Sequence, residues 1–179
     1  MKKMMEIANQ QLKWEQPSAW KMHYELRAGE ELVGTLHFRS SLGSFATAEH
    51  SDACWTFKRV GFWQARVTVR TCDAETDIAT FKNNTWSGGG TLEFPDGRKF
   101  LATTNLWQSK LDFQDEAGAT LIQFKQGGML HLSATVDVQP EAAKSPELLL
   151  MVMLGWYLIV MMSMDAAVGA ASAGAAAPG

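Results

Sequence analysis

The sequence predicts an all-β domain with one helix: a closed antiparallel barrel of about twelve strands enclosing its own hydrophobic C-terminal helix. Three observations carry that prediction. Apolar and polar residues alternate with period two along most of the chain up to Val138. Turn signals of hairpin length separate the alternating runs. From Leu148 to Met164 the chain is apolar on every side of a helix, with no charge to give it a wet face.

The strands follow in order, beginning with a short one at 11–15. From Ala19 to Arg27, Trp20, Met22, Tyr24 and Leu26 alternate with Lys21, His23, Glu25 and Arg27, the pattern of a half-buried strand. That phase assigns Trp20 to the core, as it does Trp55 and Trp63 further on, while Trp86 and Trp107 have no assigned side. Ala28-Gly29-Glu30-Glu31 turns the chain and 32–38 returns it, with 44–49 next. Between Ala53 and Cys72, a loop Arg59-Val60-Gly61 with Gly61 left-handed sets Phe57 opposite Trp63, Trp55 opposite Ala65 and Ala53 opposite Val67. The other face then pairs Thr56 with Gln64 and Cys54 with Arg66. A slip of one residue would mix the two faces, which selects this register. Strands at 77–82 and 86–94 follow. Pro95-Asp96-Gly97 sets Phe94 opposite Arg98 and Leu92 opposite Phe100 in a strand at 98–107. Strands at 109–114, 119–125 and 129–138 turn at Asp115-Glu116-Ala117-Gly118 and Gln126-Gly127-Gly128.

Lys144-Ser145-Pro146-Glu147 starts the helix, with Ser145 as N-cap, Pro146 in the first turn and Glu147 at the positive end of the dipole. Seventeen residues from Leu148 reach ~26 Å, just short of the ~30 Å bilayer core. The flanks lack the Lys/Arg cluster of a spanning helix. A barrel of this many strands needs something to fill it, so helix and strands are complementary parts. The reading divides the chain into an N-terminal segment 1–11, a barrel domain 12–165 with a central helix 146–164, and an Ala/Gly-rich tail 166–179, disordered or loosely helical.

Charge narrows the function. Sixteen Lys/Arg against nineteen Asp/Glu give a net charge of −3, which argues against a nucleic-acid binder. Every basic residue lies at or before Lys144, and after Glu147 the only charge is Asp165. The first ten residues meet Glu6 and contain no apolar run of a secretory signal, so a cytoplasmic setting with reduced thiols is expected. Asn83-Asn84-Thr85 fits the glycosylation sequon, which has no meaning without export.

The order of elements, the Asp115-to-Gly118 turn before Thr120-Leu121-Ile122-Gln123-Phe124 and the closing helix Glu147 to Met164 resemble the tubby C-terminal-like superfamily. Within it, the chain looks most like the compact bacterial branch of LURP-one-related and phospholipid-scramblase-like proteins. The resemblance covers residues ~12–164 and rests on pattern rather than on a family-specific motif. It implies a non-enzymatic binding or scaffold domain, with a phosphoinositide or other anionic lipid headgroup, or a protein, as partner. The alternative it implies is a membrane protein tail-anchored by 148–164 with scramblase-like lipid association, peripheral to or anchored in a membrane. The chain lacks a cysteine-rich palmitoylation cluster, and Asp137, Glu141 and Glu147 are too few acids for a Ca²⁺ site.

The residues offer little chemistry. In the register above, Cys54 lies about six residues or ~20 Å from Cys72, so the two are read as isolated thiols. His23, His37, His50 and His131 lack ligand spacing, although His23 and His37 fall side by side on the first hairpin. Ser87-Gly88-Gly89-Gly90 has no Lys-Ser/Thr and no following helix, so it reads as glycine at a strand start. No catalytic, metal or cofactor residues are assigned. The one charged constellation is Lys58, Arg59, Arg66 and Arg70, a basic strip on the 53–72 hairpin suited to a lipid headgroup or phosphate.

Overall fold

The computed structural model describes residues 11–61, 65–84, 89–105, 109–127 and 131–175. Its strands are β1 (Leu12–Glu15), β2 (His23–Ala28), β3 (Glu31–Phe38), β4 (Ala46–His50), β5 (Ala53–Val60) and β6 (Arg66–Thr71). They continue as β7 (Ala79–Asn84), β8 (Gly89–Glu93), β9 (Lys99–Thr104), β10 (Lys110–Gln114), β11 (Thr120–Gly127) and β12 (Ser133–Val138). Each pairs antiparallel with its neighbours in sequence, and β1 closes the ring on β12 through Leu12 opposite Val136 and Trp14 opposite Ala134. The barrel therefore has no free edge, and its strands turn most of their apolar residues inward, Leu32 of β3 being exposed.

What they enclose is α1 (Leu148–Ala175). Met151 to Leu154, Trp156, Tyr157 and Ile159 are completely buried inside the barrel. Trp156 stacks on Trp14 at 5.5 Å and meets Tyr24 edge-on, while Tyr157 stacks on Phe38 and leans on Phe57. Two glycines set the fit. A β-carbon at Gly155 would strike the Phe124 and Phe113 rings, and one at Gly34 would strike the Met153 methyl. Helix and wall are thus keyed in both directions, as close-packed interiors require.

The helix differs from expectation at both ends. It begins at Leu148 because Ser145 to Glu147 form the cap: Leu148 N donates to Ser145 O at 3.2 Å, and Met151 N to Glu147 O at 2.9 Å. It continues eleven residues past Met164, through Asp165 and then ten residues of alanine, glycine, serine and valine in which alanine, the best helix former, predominates.

The β8–β9 register is as the sequence predicts, with Leu92 opposite Phe100 and Gly97 N bonded to Phe94 O. The β5–β6 register is not. Phe57 faces Val69 and Val60 faces Arg66, so the loop is 61–65 and the pairing is displaced six residues from the expected one. Six is even, so the same residues stay inside. Alternation determines only the parity of a register, and both registers satisfy it. The consequence falls on the cysteines. Cys72 N donates to Cys54 O, the two Cα atoms are 5.4 Å apart, and the sulfurs form a disulfide on the outer face of the hairpin. The reading of isolated thiols is therefore wrong.

Trp20 is the other correction. It occupies the turn Ser18–Lys21, closed by Lys21 N to Ser18 O at 3.1 Å, and is 96% exposed. The alternating pattern simply runs on past the strand's first residue, His23. Trp63, Trp86 and Trp107 lie outside the described residues.

Candidate functional site

The twelve strands give the barrel two unlike ends. At the entry end α1 arrives, beside the turns that follow β2, β4, β6, β8 and β10. At the exit end it leaves, beside the connections that follow β1, β3, β5, β7, β9 and β11. A charged pair guards each. At the entry, Glu147 receives the Ser145 hydroxyl at 2.7 Å and the Arg98 guanidinium. At the exit, Arg59 grips Asp165 through both nitrogens, at 2.6 and 3.1 Å. Between them Tyr157 donates to Ser44 O at 2.7 Å, its hydroxyl held protonated by burial.

The Glu147 carboxyl titrates below its ordinary range. Burial opposes this, but the bonds from Ser145, Arg98 and its own backbone N–H outweigh it. A carboxylate with a depressed folded pKa stabilises the fold above its unfolded pKa, near 4.5, and that contribution is lost as pH falls through the folded value. We therefore expect Glu147→Gln to lower the melting temperature at pH 7. The gap from the wild type should close as pH falls below about 4, in thermal scans followed by circular dichroism. A gap that stays constant to about pH 2 would show that the carboxylate contributes nothing through its charge.

The four residues of the predicted basic strip do not act together. Arg59 faces the helix and is consumed by Asp165, and Arg70 is paired with Asp77 at 2.6 Å. Lys58 and Arg66 remain exposed on the outer wall near the exit end, without an ion pair among the described residues. The barrel adds others from outside the 53–72 hairpin. Lys82 stands directly opposite Arg66 across β6–β7, and Lys110 stands opposite Lys125 across β10–β11. All three are exposed in the half nearer the exit. Lys82 bonds Glu93 at 2.5 Å, and Lys125 bonds Asp137 at 2.8 Å. The signals for this collar were strand order, which brings cations from separate hairpins to one level, and the hairpin at the 115–118 turn.

His23 and His37 do face each other, with rings 6.0 Å apart. A groove on the outer wall runs over β1, β2 and β12, but its charges are satisfied within it: Lys13 with Glu15 and Arg27 with Glu25, both at 2.6 Å. At Gly90 a β-carbon would overlap the Phe81 ring and the Lys82 carbonyl, so this glycine admits a neighbouring strand rather than a phosphate. Among the described residues no group of three His, Cys, Asp or Glu side chains is placed to hold a metal ion.

Protein-family profiles, curated proteins and solved structures were compared with the chain. None matches. What stands is the architecture itself: twelve antiparallel strands closed around a buried apolar helix, an arrangement consistent with the tubby-like fold.

Proposed function

We propose that this chain is a non-enzymatic binding domain of the tubby-like kind, which recognises anionic lipid headgroups, phosphoinositides included, on its outer wall. One observation carries the reading. The barrel's interior is occupied by its own helix, so a ligand must be met outside, and there Lys58 and Arg66 stand exposed without an ion pair among the described residues. Juxtamembrane cations of this kind contribute about 1 kcal/mol each on an anionic surface. The tail-anchor alternative requires in the bilayer the same side chains, Leu148 to Met161, that form the core of the barrel.

The test is co-sedimentation with phosphatidylcholine vesicles, plain or containing phosphatidylserine or a phosphoinositide. The wild type is expected to prefer anionic vesicles. Lys58→Glu with Arg66→Glu should weaken that binding at least about tenfold, since each replaces an attraction by a repulsion. Equal binding to all three vesicles, or no effect of the double variant, would refute the reading.

A further inference from the structure

We infer that the exit end of the barrel is a bilayer-docking face, its apolar loop tips entering the membrane while the basic collar meets the headgroups. The inference builds on the headgroup reading and adds an orientation and an apolar component to it.

The two ends of the barrel differ in every respect that a membrane would sense. Three of the four large hydrophobic side chains exposed among the described residues are at the exit. Trp20 (96% exposed) follows β1, Leu42 (93%) follows β3, and Val168 (68%) is on α1 after it leaves the barrel. Trp20 neighbours the exposed Lys21, and Leu42 lies near the exposed Arg39. An indole beside a lysine at the tip of a loop is the composition of a membrane–water interface, where the ring is half desolvated and the cation stays with the phosphates. Among the described residues of the connections at this end (16–22, 39–45, 61, 65, 105, 109, 131 and 132) there is no Asp or Glu.

The helix makes the same distinction. Beyond Asp165, residues 166–175 carry no charge and project as about three turns, ~15 Å. Asp165 would oppose approach to an anionic surface, but Arg59 neutralises it through two hydrogen bonds. That gives the Arg59 contact a role besides holding the helix: it lets an uncharged segment emerge. The entry end is the opposite. Glu30, Asp52, Asp73, Asp77, Asp96 and Asp115 stand in its turns; Arg70 and Arg98 pair with Asp77 and Asp96, but the rest leave an acidic surplus, so an anionic bilayer repels that end. Apolar tips, cations behind them and acids on the far side leave one orientation.

The experiment uses the full chain and vesicles of phosphatidylcholine with and without phosphatidylserine. Binding is measured at about 0.1 M and about 0.5 M NaCl, where screening lengths fall from ~10 to ~4 Å. Wild type should keep a salt-resistant fraction. Trp20→Glu with Leu42→Glu should reduce that fraction at least tenfold, and Leu32→Glu, an exposed site at the entry end, should leave it unchanged. Trp20 and Leu42 are already in water and Leu32 is partly exposed, so a far-ultraviolet circular dichroism spectrum and a cooperative thermal transition like those of the wild type are expected of each variant. Wild-type binding that vanishes at high salt overturns this inference and leaves the headgroup reading intact. Equal binding to both vesicle types overturns the headgroup reading and leaves apolar insertion intact. A rim that serves a protein partner instead would show itself as rim variants bound to vesicles as well as the wild type, which also overturns the inference.

Discussion

Ending the chain after Lys144 is expected to abolish the fold, not to release a hollow barrel. Twelve apolar side chains between Leu148 and Met161 are buried, each worth about 1.5–3 kcal/mol. Even the lower figure sums to about 18 kcal/mol, more than the ~5–15 kcal/mol by which a domain is normally stable. The loss also leaves Trp14, Phe38, Phe57 and Phe124 facing an emptied interior. The truncated chain should therefore show no cooperative thermal transition and no near-ultraviolet aromatic signal. A sharp transition close to that of the full chain would mean that the strands close without the helix.

The second large effect is expected at Gly155. In most helices Gly→Ala gains about 1 kcal/mol through backbone propensity. Here the added carbon overlaps Phe124 and Phe113, and overpacking of that sort costs about 1–3 kcal/mol. Gly155→Ala should come out destabilising by about 1 kcal/mol, and Gly155→Leu by about 4 kcal/mol or more, read from denaturant midpoints. Phe124→Ala opens the space that the introduced leucine side chain needs, so the double variant should be more stable than the additive sum of the two single ones. Strict additivity would show that position 155 and Phe124 do not compete for one space.

The order of strands, their antiparallel sense and the fate of the helix were legible because each follows from local pattern. Pro95-Asp96-Gly97 specifies a tight turn, which anchors the β8–β9 register from one end. The 53–72 hairpin has no such anchor. Gly61 does take a left-handed φ of 90°, but in a loop two residues longer than supposed, and parity alone let the register slide by six. The disulfide was lost to that slide. Trp20 misled for a related reason: period two says which side a residue faces within a strand, not where the strand starts. The basic collar was legible only in part. Lys58, Arg66, Lys82, Lys110 and Lys125 come from five strands; the hairpin at the 115–118 turn sets Lys110 opposite Lys125, but Arg66 meets Lys82 only through the β6–β7 pairing, which no tight turn specifies. Of the strip that was legible, half is spent on Asp165 and Asp77.

Placing the filling after the wall in chain order has a consequence for biosynthesis. A ribosome delivers the wall before its filling, so the inward faces of twelve strands are made while the segment that must cover them is still untranslated. The β1–β12 seam joins the first strand to the last, which likewise delays closure. Folding of this domain in consequence waits for its last segment to be made. Until Met161 has emerged, the nascent strands are surfaces that a holding chaperone can occupy.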